Sequence, residues 1–154
     1  MQLYHVKYTT EELDQVRKIF IEYAEFLGVD LCFQDFEDEL QTLHKVYSSP
    51  RGCIILAKLN GEVLGCIALK PIGDNICEMK RLYVRPSARG KGLGKQLVEE
   101  LIYFARNAGY KAMKLDTIAS LKEAIKLYRS KGFVKTDPYV YNPLSDVLYF
   151  ELSL

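Results

Sequence analysis

Residues 89–95 read Arg-Gly-Lys-Gly-Leu-Gly-Lys, the segment whose residue types and spacing most plainly carry chemistry. Glycines let the backbone approach a ligand closely, and a turn that opens a helix offers an anion free N–H groups and the positive end of the helix dipole. Arg89, Lys91 and Lys95 add positive charge. The segment is not a P-loop, which would need glycine in place of Arg89 and Ser or Thr in place of Gln96. Nor is it a dinucleotide fingerprint, whose third glycine would stand where Lys95 does. What remains is Arg-x-x-Gly-x-Gly, which fits a helix cap or a solvated loop as well as a phosphate cradle.

A cradle needs a strand before it and a helix after it. Leu82, Tyr83 and Val84 end an apolar run from Ile76 that stops at Pro86, while Leu93, Leu97, Leu101, Phe104, Ala105 and Ala108 recur at helical spacing up to Gly109. Around this unit the pattern predicts a strand over Leu3–Tyr8. A helix capped by Thr9 or Thr10 follows, with Leu13, Val16, Phe20, Tyr23, Ala24 and Leu27 inward, and a second helix runs over Asp35–Tyr47. Cys53–Leu59 and Glu62–Leu69 flank Asn60-Gly61, a hairpin signal because both turn residues accept positive φ. Lys111–Thr117 reads as a strand, Ser120 onward as a short helix stopped by Gly132, and Phe133–Lys135 and Asp146–Leu152 as closing strands. The order of hairpins and one crossover helix gives an α/β (α+β) mixed sheet.

With 154 residues and 49% hydrophobic content, the chain suits one domain spanning 1–154. No apolar run approaches the roughly 18 residues of a membrane span, and the expectation is a soluble, cytoplasmic protein with no membrane partner. Cys32, Cys53, Cys66 and Cys77 lie singly among apolar residues and His5 and His44 are far apart, so reduced core thiols and no metal site are expected. A net charge of +1 argues against a nucleic-acid partner. The charge is uneven, however. Residues 80–95 hold six basic side chains and no acid, whereas residues 19–44 hold seven acids and no Lys or Arg. These runs suit a polyanionic cofactor beside a cationic substrate, or are merely solvated faces.

Three segments together resemble the GNAT superfamily of N-acetyltransferases: Leu82-Tyr83-Val84, then Arg89-x-x-Gly92-x-Gly94, then Ala124-Ile125-Lys126-Leu127-Tyr128 with Gly132-Phe133. The likeness covers residues 53–133. It implies a mixed, mostly antiparallel central sheet of six to seven strands flanked by about four helices, with acetyl-coenzyme A as cosubstrate and no metal. It further implies that the Leu82, Tyr83 and Val84 backbone binds the pantetheine arm and that Arg89, Gly90, Lys91, Gly92, Leu93, Gly94 and Lys95 hold the pyrophosphate.

The same resemblance gives two catalytic candidates. Glu78, eleven residues before Arg89, is the candidate base for the acceptor amine, directly or through water, or else a strand carboxylate paired with Lys80 or Arg81. Tyr128 is the candidate acid for the departing thiolate, and a backbone N–H near Leu82 or Val84 would stabilise the oxyanion. Cys77 beside Glu78 suggests an acyl-cysteine route, but no histidine is placed to activate it. Leu121 stands where many relatives have Asn, a lost coenzyme contact that Ser120 or Thr117 would have to replace. The expected reaction is acetyl transfer to a small-molecule or peptide primary amine in a ternary complex, with the acidic first third and the aromatic tail (Tyr139, Tyr141, Asn142 and Pro143) shaping the acceptor pocket and with room for a homodimer. A catalytically silent acetyl-coenzyme A sensor is the alternative, and a phosphate or nucleic-acid binding module is weaker still.

Overall fold

The computed structural model describes residues 1–28, 31 and 35–154. Cys32 and Asp30, which belong to the thiol and acidic-run expectations, lie outside them. The elements are β1 (Gln2–His5), α1 (Thr10–Leu27), α2 (Phe36–Gln41), α3 (Leu43–Val46), β2 (Cys53–Leu59), β3 (Glu62–Pro71), β4 (Ile76–Val84), α4 (Leu93–Asn107), β5 (Ala112–Ile118), α5 (Lys122–Ser130), β6 (Val134–Lys135) and β7 (Val147–Ser153). The strands form one sheet in the order β1-β2-β3-β4-β5-β7-β6, antiparallel except for the parallel pair β4–β5. This is the mixed, mostly antiparallel architecture that the sequence led us to expect.

Local chemistry explains most boundaries. The first strand stops at His5, short of the expected Tyr8, because Tyr8 takes φ 63° and turns the chain into α1. Thr9 caps α1 in a full capping box with Glu12, and Gly28 closes it at φ 66°. The single helix expected over 35–47 is two, α2 and α3. Thr42 leaves the helical region (φ −127°) and donates its hydroxyl to the Asp38 carbonyl at 2.7 Å. Asn60 and Gly61 make the hairpin at φ 51° and 82°.

Two apolar layers sandwich the sheet. Leu93, Leu97, Val98, Leu101 and Ala105 of α4 pack with Tyr128 of α5 on one face, over Ile55, Ile67, Cys77, Met79, Met113, Leu115 and Phe150. Val16, Ile19 and Phe20 of α1, Leu40 of α2 and Leu43 of α3 cover the other, over Ile54, Leu56, Cys66, Ala68 and Tyr83. Burying each such side chain contributes about 1.5–3 kcal/mol.

Two irregularities in β4 shape the centre of the molecule. Pairing with β5 covers only Ile76, Cys77 and Glu78, opposite Ala112, Met113 and Lys114, so the two strands diverge into a fork. Three residues further on, one β3 residue, Ile67, faces two on β4, Arg81 and Leu82. Arg81 sits at φ 63° in this bulge and turns its guanidinium inward, where its Nη2 lies 2.8 Å from Glu39 Oε1 and its Nε 3.0 Å from Oε2. Tyr47 donates to the same carboxylate at 2.9 Å. Burial alone would raise the Glu39 carboxyl, but Arg81 and Tyr47 outweigh it and hold it below its ordinary range.

Candidate active site

Beyond Glu78, β4 keeps β3 as its neighbour on one side and has no strand on the other among the described residues. At Leu82–Val84 an extended amide-bearing ligand can pair with that side as an added strand. The chain then leaves β4 through a short 3-10 turn at Pro86–Ala88 and enters α4. Gly90 and Gly92 take φ 80° and 76°, and Gly92 occupies the N-cap of α4 without any side-chain cap. The first helical bond is Gln96 N to Gly92 O, so the Leu93, Gly94 and Lys95 amides precede the helix's own ladder and point at whatever lies before it.

A cleft of about 400 Å³ runs along this path. Leu82, Tyr83, Val84, Arg89, Gly90, Gly92, Leu93 and Gly94 all line it, so the structure brings together eight of the ten residues assigned to the cofactor. Lys91 and Lys95 are exposed and do not line it. Arg89 is anchored: its Nε donates to the Val84 carbonyl at 2.8 Å and its guanidinium lies 4.5 Å from the Phe26 ring centroid. The opposite wall comes from Tyr23, Phe26 and Leu27 of α1, which no local motif announced, and from Ser120, Leu121 and Lys122 at the start of α5. Leu121 therefore does face the cleft, with Ser120 beside it, whereas Thr117 is buried elsewhere.

The two catalytic candidates flank the fork from opposite faces of the sheet. Cys77 and Met79 belong to the α4 face, so Glu78 between them points to the α1 face. It is 2% exposed, receives a hydrogen bond from the Tyr139 hydroxyl at 2.7 Å and has Lys70 Nζ at 3.8 Å. Lys70 stands directly opposite it on β3, and the Glu78 charge also acts on the neighbouring Lys80 ammonium. Tyr128 approaches from the α4 face, 6% exposed between Phe133 and Phe150. Burial, and to a lesser extent Tyr23 and Asp116, raise its phenol above the ordinary value, so it keeps its proton at neutral pH.

Tyr139, from the aromatic tail expected to shape the acceptor pocket, is the donor to Glu78. It lies in the segment between β6 and β7, with its ring 5.7 Å from that of Tyr149 and Lys114 Nζ 5.4 Å above it. Cys77 is a core thiol: it faces the α4 layer, and burial pushes it up to about 12. The acidic run finds its counterpart in the basic one, through Glu39–Arg81 and through Glu22–Arg85 at 3.0 Å.

A forked mixed sheet leading into an uncapped glycine-rich helix start defines a class, and comparison with known proteins gives it a name. The chain belongs to the acetyltransferase (GNAT) family, whose model matches residues 13–133. It is 42% identical to an uncharacterized N-acetyltransferase of Schizosaccharomyces pombe over 94% of this chain and 90% of that one. It is 36% identical to an uncharacterized N-acetyltransferase of Escherichia coli, over 79% of this chain and 74% of that one. An acetyltransferase from Streptococcus agalactiae shares the fold with a TM-score of 0.81 over 99% and 98% of the two chains, at 24% identity. A GNAT family acetyltransferase from Elizabethkingia anophelis with acetyl-CoA bound is similar at TM-score 0.60 and 28% identity, over 73% of this chain and 82% of that one. The protein is an N-acetyltransferase of this family. Among the described residues no helix is long and apolar enough to cross a membrane.

Proposed function

We propose that the protein transfers the acetyl group of acetyl-coenzyme A to a primary amine by direct attack in a ternary complex. The observation that carries this reading is the continuity of the β4 edge at Leu82–Val84, past the end of its pairing with β5, with the open amides of Leu93–Lys95. An extended amide chain ending in a pyrophosphate matches that sequence of groups, and the glycines leave the approach unobstructed: a Cβ placed on Gly90 or Gly92 would meet nothing within 4 Å. The acetyl-CoA bound to the Elizabethkingia anophelis relative supports the same cofactor.

In this reading Leu82, Tyr83 and Val84 pair with the pantetheine arm and the 89–95 loop holds the phosphates. The thioester then lies in the fork, between Glu78 on one face and Tyr128 on the other. The acceptor arrives protonated, since an ordinary alkylamine has a pKa near 10. Glu78 accepts its proton through the Tyr139 hydroxyl, which hands its own proton to the carboxylate as it takes one from nitrogen. Burial, then the Glu78 charge, raise the Tyr139 phenol, so it acts as a relay rather than a phenolate base. The freed nitrogen lone pair forms the C–N bond. A β4 backbone N–H near Leu82 or Val84 stabilises the charge developing on the carbonyl oxygen, and Tyr128 protonates the thiolate as the C–S bond breaks.

The test is a panel of alkylamines, polyamines, amino-acid amides and peptides assayed with acetyl-coenzyme A for free thiol. The expected outcome is amine-dependent thiol release matched one-to-one by acetylated product. Coenzyme binding with no turnover on any amine would replace this reading by that of a silent sensor.

A further inference from the structure

Two carboxylates border the fork, and the mechanism above uses one. Asp116 stands on β5 two residues beyond Lys114, the last position that pairs with β4, so it faces the opening from the strand opposite Glu78. Met113 and Leu115 point into the α4 layer, which places Lys114 and Asp116 on the same face as Glu78 and Tyr139. Unlike Glu78, Asp116 is only half-buried. Asn142 Nδ2 donates to its Oδ2 at 3.0 Å, and Asn142 is held in that orientation because its Oδ1 accepts from the Leu144 amide at 3.1 Å. Oδ1 of Asp116 is left for a further donor.

No Lys, Arg or His among the described residues forms an ion pair with Asp116, although Glu22, Glu39 and Glu78 on this face each have one. Tyr149 stands opposite it on β7, and the Asp116 charge acts on the phenols of Tyr23, Tyr128, Tyr139 and Tyr149, each raised chiefly by burial. We infer that Asp116, oriented by Asn142, is the anchor for the acceptor's reacting ammonium, which makes the acceptor class an aliphatic primary amine that enters charged rather than an arylamine or a hydroxyl. One ammonium N–H donates to Asp116 Oδ1 while another faces the Tyr139–Glu78 relay. The inference rests on the acetyltransferase reading and names the acceptor chemistry of the same site.

Coenzyme A S-alkylated with a 3-aminopropyl group, and the neutral n-butyl thioether of the same length, probe it without knowledge of the natural acceptor. Their affinities are measured by calorimetry for the wild type and for Asp116→Asn, with plain coenzyme A as reference. The wild type is expected to prefer the ammonium-bearing thioether on the order of tenfold, the strength of one charge-assisted hydrogen bond. Asp116→Asn is expected to abolish that preference and leave plain coenzyme A within about twofold. A preference absent from the wild type, surviving in Asp116→Asn, or lost only in Glu78→Gln would overturn the inference. Failure of plain coenzyme A to bind would instead sink the acetyltransferase reading, and this inference with it.

Discussion

The two sides of the fork are built by different means. The side proposed for the cofactor is mostly backbone: the diverging edge of β4, the positive-φ glycines of the 89–95 loop and the first amides of α4, contributed by one contiguous stretch. The side proposed for the acceptor is mostly side chains brought together from far apart, with Tyr139 reaching Glu78 and Asn142 reaching Asp116. Backbone recognition tolerates almost any side chain outside its glycines. Side-chain recognition is undone by one atom. Substitutions on the two sides should therefore separate cleanly into effects on coenzyme binding and effects on the amine.

The largest expected separation is at Glu78. Glu78→Gln should lower kcat by roughly 10²–10⁴-fold, the usual range for a positioned acid or base, with coenzyme A affinity unchanged. Steady-state kinetics and calorimetry on the same preparation check this, and a retained acidic limb in the pH–rate profile would assign the base elsewhere. Tyr128→Phe should lower kcat about 10–100-fold while sparing coenzyme affinity, read in the same two assays. Unchanged turnover would remove Tyr128 from the chemistry.

Arg81→Ala probes what holds the two sides in register. It strands Glu39 in the core and should cost about 3–5 kcal/mol of unfolding free energy in urea titrations. A smaller effect is expected on the cofactor side. Gly92→Ala forces a Cβ into the left-handed region, at roughly 1–2 kcal/mol, and should weaken coenzyme binding several-fold with the amine KM unmoved. The smallest effect is on pH dependence. The folded Glu39 carboxyl sits below its ordinary value, so its contribution to stability is present above the unfolded pKa, about 4.3, and lost as pH falls through the folded value. Unfolding free energy should thus be flat near neutrality and fall below about pH 4, less steeply in Glu39→Gln.

This division also explains what was legible in the chain. The Asn60-Gly61 hairpin, the Gly28 cap and the 89–95 loop rest on residues whose backbone preferences act locally, and all three stand where their sequence places them. The early helix broke at Thr42 because a hydroxyl bonded back to Asp38 where spacing alone suggested continuity. Tyr23, Phe26 and Leu27 recur at ordinary helical spacing, so nothing in α1 marked them as a cleft wall. Glu78 is singled out by the family resemblance, but its contacts with Lys70 and Tyr139 follow from strand register and a long-range loop. Asp116 carried no signal at all until the end of β4–β5 pairing put it at the fork.

The central claim is that the diverging edge of β4 and the start of α4 together hold coenzyme A. Amide hydrogen exchange with and without coenzyme A tests it residue by residue. Slowed exchange is expected at amides within Met79–Val84 that face away from β3, and at Leu93, Gly94 and Lys95, with β1 and β2 unaffected. Protection confined to other parts of the chain, with those amides exchanging as before, would contradict the account.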